Sequence, residues 1–152
     1  MLGLYKQFNQ AIYDECDDIG KKAVIKLLSS KGMQMSINPD KYGIDLIGIK
    51  NANTSGSQII FYDAEICRAW KSGPFPYANV HVLERKKKFL KYGKVFFVMI
   101  RADLKAFVLT SGYLCTRDNL KPNPNCFGNG EYAFNVPFEK VIYAELDTDG
   151  WE

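Results

Sequence analysis

The chain has 152 residues, 47% of them hydrophobic and 24% charged, which is enough to build one domain around a real core and excludes a disordered polymer. Its net charge of +3 permits an acidic partner without requiring one, so any nucleic-acid reading must rest on local clustering. No apolar run reaches membrane-spanning length, and MLGLYKQFNQ lacks the basic-then-apolar pattern of a secretory leader, so a cytoplasmic location is expected.

Residues 5–30 are predicted to be helical, since Ile19, Ala23, Val24, Leu27 and Leu28 recur at helical spacing and Gly32 supplies a stop. Asp17 or Asp18 is a candidate cap for the second half, which leaves one bent helix or two. M33-Q-M-S-I37 reads as a short strand closed by the turn N38-P-D-K, and Y42-G-I-D-L-I-G-I49 as another strand. N51-A-N-T-S-G-S57 is turn chemistry leading into a strand over 57–67. Beyond two prolines, V80-H-V-L83 is expected as an edge strand and E84-R-K-K-K-F-L-K-Y92 as a basic helix ended by Gly93. Strands are then expected at 94–100, 107–110, 133–136 and 141–145, with an exposed loop over 121–130. There is no repeat or linker, so the expectation is one domain over 1–152: an α/β sandwich with a mixed central sheet flanked by helices.

The strand over 57–67 raises the chemical question. It reads as buried, yet it carries Asp63, Glu65 and Cys67 on one face, with Tyr62, Ala64, Ile66 and Arg68 on the other. A hairpin centred near Thr54 pairs residues whose numbers sum to about 108–110. Asp45 then lies opposite the Asp63–Glu65 stretch. Single acids of this kind are usually solvent-facing, but three meeting across one hairpin among Ile, Leu and Phe point to a site. Like charges so close repel unless a cation holds them, and Mg²⁺ or Mn²⁺ suits an all-oxygen ligand set.

A helix with an internal Glu, then Y42-G-I-D45, a hairpin, A64-E65-I-C67 and a following helix resembles the PD-(D/E)XK nuclease superfamily over roughly two-thirds of the chain. The resemblance implies a restriction-endonuclease-like αβββαβ core with extra C-terminal strands. It also implies a Mg²⁺-dependent endonuclease that hydrolyses phosphodiesters, with DNA placed ahead of RNA as substrate. Asp45 and Glu65 would be the catalytic acids and, with Asp63 and Glu15, the metal ligands. Many members of the superfamily pair as a homodimer to cut both strands.

Two positions depart from that pattern. No Pro precedes Asp45, and the expected motif Lys is Cys67, a thiol that cannot supply a positive charge. Three explanations are open. The cation has moved to the following helix, where Lys86 is the first choice and Lys87 close behind; or the motif is read as Asp63-Ala64-Glu65; or the fold persists without catalysis, as a module that binds nucleic acid or a protein. A Cys67–His81 pair carries little weight, because nothing in the sequence brings them together. The cysteines Cys16, Cys67, Cys115 and Cys126 show no zinc spacing and are expected as free thiols.

Substrate contacts are expected from Arg85, Lys87 and Lys88 on the basic helix and from Arg68 and Lys71 in the loop after the acidic strand. Trp70, Phe75 and Tyr77 in that loop suit either base stacking or plain packing.

Overall fold

The computed structural model describes residues 10–40, 43–123 and 131–146, with side chains from Asp17 onward. Helix α1 (Gln10–Ser30) is followed by β1 (Gln34–Ile37), β2 (Leu46–Lys50), β3 (Gln58–Cys67) and β4 (Asn79–Leu83). A 3₁₀ helix (Glu84–Tyr92) leads into β5 (Val95–Arg101) and β6 (Ala106–Ser111), with β7 (Leu120–Pro122), β8 (Tyr132–Pro137) and β9 (Ile142–Glu145) after it. Among the described residues no helix is long and apolar enough to cross a membrane.

Six strands form one mixed sheet in the order β1-β2-β3-β5-β6-β9, antiparallel throughout except for the parallel pair β3–β5. A second sheet, β4-β8-β7, is antiparallel. The α/β class with a mixed central sheet is therefore as expected. One face of that sheet is covered by α1, where Ala23, Val24, Leu27 and Leu28 pack on Leu46, Ile60, Tyr62, Val98 and Ile100. The other face is not covered by helix alone. Val82 and Phe134 of the small sheet, with Phe89, Leu90 and Tyr92 of the 3₁₀ helix, pack on Phe61, Val95 and Phe97.

Several boundaries differ from expectation for local reasons. The N-terminal half of the helix is continuous with the second half, so Asp17 and Asp18 lie inside α1 rather than capping it, and each forms an i,i+4 ion pair instead. Residues 5–9 lie outside the described chain. Gly32 ends the helix as predicted, at a φ of 89° that suits glycine. The strand expected over 42–49 begins only at Leu46, because the preceding turn runs on: Gly43 N–H donates to Asp40 O and the Asn38 side chain donates to Ile44 O. Residues 121–122, the start of the expected loop, pair with β8 as part of β7, and 124–130 lie outside the described residues.

The expected basic α-helix is 3₁₀ over all nine of its residues. With about three residues per turn, positions i and i+3 eclipse. Lys86, Phe89 and Tyr92 thus form one half-buried stripe, while Arg85, Lys88 and Lys91 form an exposed one. Phe89 and Tyr92 anchor the inner stripe, and the Tyr92 ring lies 4.8 Å from that of Phe61 on β3. That anchoring directs Lys86 onto the same sheet face.

Candidate active site

The register places the acids. Leu46 faces Tyr62 and Lys50 faces Gln58, the low end of the expected range. One step beyond Leu46, where β2 has stopped, Asp45 takes over the ladder with its side chain: Oδ2 accepts a 2.9 Å hydrogen bond from Ala64 N–H. Asp45 is therefore fixed against the Asp63–Glu65 segment by a backbone donor that a full strand would have used. Alternation along β3 holds as predicted, with Ile60, Tyr62, Ala64 and Ile66 against α1 and Phe61, Asp63, Glu65 and Cys67 on the opposite face.

Lys86 reaches this face from the 3₁₀ helix. Its Nζ donates to Asp63 Oδ2 at 2.7 Å and to Glu65 Oε2 at 3.2 Å. The lysine and Asp63 side chains are only 17% and 10% exposed, whereas Glu65 is half open to solvent. Such a buried pair is expensive to break from one side, because the partner is left as an unpaired charge. Burial alone would lower the ammonium's affinity for its proton. Attraction from Asp63 and Glu65, with their hydrogen bonds, outweighs that and holds the Lys86 pKa well above its ordinary value.

Asp45 is pushed the other way, from 3.8 up to about 7. Burial is the main cause and repulsion from Asp63 the second. The Ala64 hydrogen bond opposes them, Asp17 adds repulsion, and Lys21 offsets part of it. Lys21 Nζ sits 2.9 Å from Asp17 and 3.8 Å from Asp45 Oδ1, so α1 contributes a second cation to the site. Sequence reasoning missed Lys21. The available signal was the i,i+4 spacing of Asp17 and Lys21 on one helix, one turn and a half beyond Glu15.

The other expected residues divide into groups. Glu15 falls on α1, but its side chain lies outside the described residues. Arg85, Lys87 and Lys88 are exposed on the outer side of the 3₁₀ helix, with Arg85 3.6 Å from Glu131 and Lys87 3.7 Å from Glu84. Arg68 and Lys71 are exposed in the loop after β3. In that loop the packing alternative holds for two aromatics. Trp70 and Phe75 are buried edge to face at 5.2 Å and closed to a base, while Tyr77 is exposed. Cys67 ends β3 partly buried against the cluster that holds Trp70 and Phe75, and His81 faces solvent on β4. Cys115 is a buried free thiol whose pKa burial raises to about 11.

The donor chemistry of Asp45, Asp63 and Glu65 suits a hard dication, and the strain between Asp45 and Asp63 is what such an ion relieves. Among the described residues no three His, Cys, Asp or Glu side chains form a ready ligand group. Lys86 holds the oxygens of Asp63 and Glu65 instead. No protein-family model, curated protein or solved structure matches the chain.

Proposed function

We propose that the protein is a metal-dependent phosphodiesterase of the restriction-endonuclease-like kind, an endonuclease acting on DNA ahead of RNA. The observation that carries this reading is Lys86, which meets Asp63 and Glu65 at 2.7 and 3.2 Å from a different element than the motif would use. A cation is thus present beside the acids although position 67 is Cys. The order helix, three strands, crossover and parallel β5 also supports a nuclease-like core, with a small sheet and a 3₁₀ helix standing where a helix is usual.

Asp45, Asp63 and Glu65 would hold Mg²⁺ or Mn²⁺, with Glu15 as the expected fourth acid. The ion, when bound, would supply polarisation of the phosphoryl oxygen and acidification of a water. Lys86 serves as the fixed positive charge that stabilises developing negative charge on the phosphate. Asp45, pinned by Ala64 N–H, keeps one oxygen committed to the backbone and the other toward Lys21.

A second reading has its own support: Lys86 already satisfies both Asp63 and Glu65, as a purely structural ion pair would. In that case the protein is a non-catalytic binding module. Plasmid nicking with Mg²⁺ or Mn²⁺, compared across wild type, Asp45→Ala and Glu65→Ala, separates the two. The nuclease reading expects metal-dependent nicking that both substitutions abolish. Absence of nicking over several substrates and metals favours the module, and nicking that survives both substitutions refutes the site.

A further inference from the structure

The exposed side of the 3₁₀ helix carries a feature that the acidic site does not use. Eclipsing at three residues per turn lines up Arg85, Lys88 and Lys91 in one straight row, with a repeat of about 6 Å from the 3₁₀ rise. Beside this row an open cleft of about 400 Å³ is lined by Glu84, Arg85, Lys87, Lys88, Glu131 and Tyr132. Arg85 and Lys87 have carboxylate neighbours in Glu131 and Glu84. Lys88 and Lys91 have no ion-pair partner among the described residues, so the row keeps an excess of positive charge. Tyr132 enters the cleft from the small sheet, 45% exposed, with no ring partner among the described residues.

We infer that this cleft binds single-stranded nucleic acid, with a base stacked on Tyr132 and the backbone phosphates along Arg85, Lys88 and Lys91. Charge complementarity selects an anionic chain. An exposed ring among cations selects one whose bases have a free face, which a duplex does not offer in its interior. The inference shares with the proposed function the premise that the partner is nucleic acid, but not that the protein cuts it. Lys86 lies on the inner stripe of the same helix and does not line the cleft, so the two features are separate faces of one element.

The test is fluorescence anisotropy of a labelled oligothymidylate and of a duplex of equal length, in EDTA, so that loss of cleavage cannot affect it. Wild type should bind the single strand more tightly than the duplex. Tyr132→Ala should weaken single-strand binding on the order of tenfold or more and leave the duplex nearly unchanged, while Tyr132→Phe retains it. Lys88→Glu with Lys91→Glu should weaken both and flatten the salt dependence. All three positions are exposed, and matching circular dichroism and thermal midpoints verify folding. Equal binding by Tyr132→Ala, a preference for duplex, or no binding by folded wild type would overturn the inference; the last leaves the patch to an acidic protein.

Discussion

Lys86 Nζ donates 2.7 Å to Asp63 Oδ2, joining a 3₁₀ helix on the outside of the sheet to an acid on its third strand. Both side chains are largely shielded from water, so the pair fixes the helix against the acidic face and leaves a positive charge beside Asp63 and Glu65.

Removing that lysine should be costly. Lys86→Met leaves Asp63 buried without its cation, and the expected loss is about 3 kcal/mol in urea unfolding at neutral pH. Pairing it with Asp63→Asn should recover most of the loss, since the stranded charge is then gone. Additive losses in the double variant would argue that packing, not charge, sets the effect.

Asp45 gives the stability a definite pH dependence. Its carboxyl titrates at 3.8 when unexposed to the fold and at about 7 within it, so between those values the folded state holds the extra proton. Stability from this group is therefore lost as pH rises from about 4 to about 7, and stays level above. Asp45→Asn can still accept from Ala64 and should be more stable than wild type at pH 8, by up to about 4 kcal/mol, with the difference vanishing near pH 4. Denaturant curves at both pH values check this; a difference that grows toward acid has the wrong sign.

Restoring the motif residue should not help by itself. Cys67 is partly buried against the cluster of Trp70, Phe75, Val80, Ala106 and Val108, so Cys67→Lys should destabilise by about 1–2 kcal/mol and leave nicking no faster. In the Lys86→Met background the same change should recover part of the lost nicking. A rate increase from Cys67→Lys alone would show that Lys86 does not fill the role.

The loop after β3 should behave as scaffold. Trp70 is 1% exposed, its Nε1 donates to Gly73 O at 3.0 Å, and Arg101 donates to the same carbonyl at 2.8 Å. Trp70→Ala should cost about 3–5 kcal/mol, read as a lower thermal midpoint. Lys71→Ala should leave the midpoint unchanged and weaken nucleic-acid binding in a salt-sensitive way. Unchanged stability in Trp70→Ala would return that ring to the list of candidate contacts.

Much of this was legible in the chain because period-two alternation and turn residues are local signals. Asp63, Glu65 and Cys67 could be assigned to one face, and the Thr54 turn set the register that brings Asp45 opposite. Lys86 could be named because the family resemblance required a cation near the acids and the next helix supplied several. Two features were not legible. The 3₁₀ winding over 84–92 depends on anchoring Phe89 and Tyr92 against Phe61, a contact between distant segments. Lys21 needed the docking of α1 on the sheet before its approach to Asp45 existed at all.

The most direct test of the central claim is the initial rate of Mg²⁺-dependent plasmid nicking by wild type and Lys86→Met, both at temperatures where each is verified as folded. A positioned charge of this kind predicts measurable nicking by wild type and a fall of about a hundredfold or more in the variant. Nicking at the wild-type rate by folded Lys86→Met would contradict it.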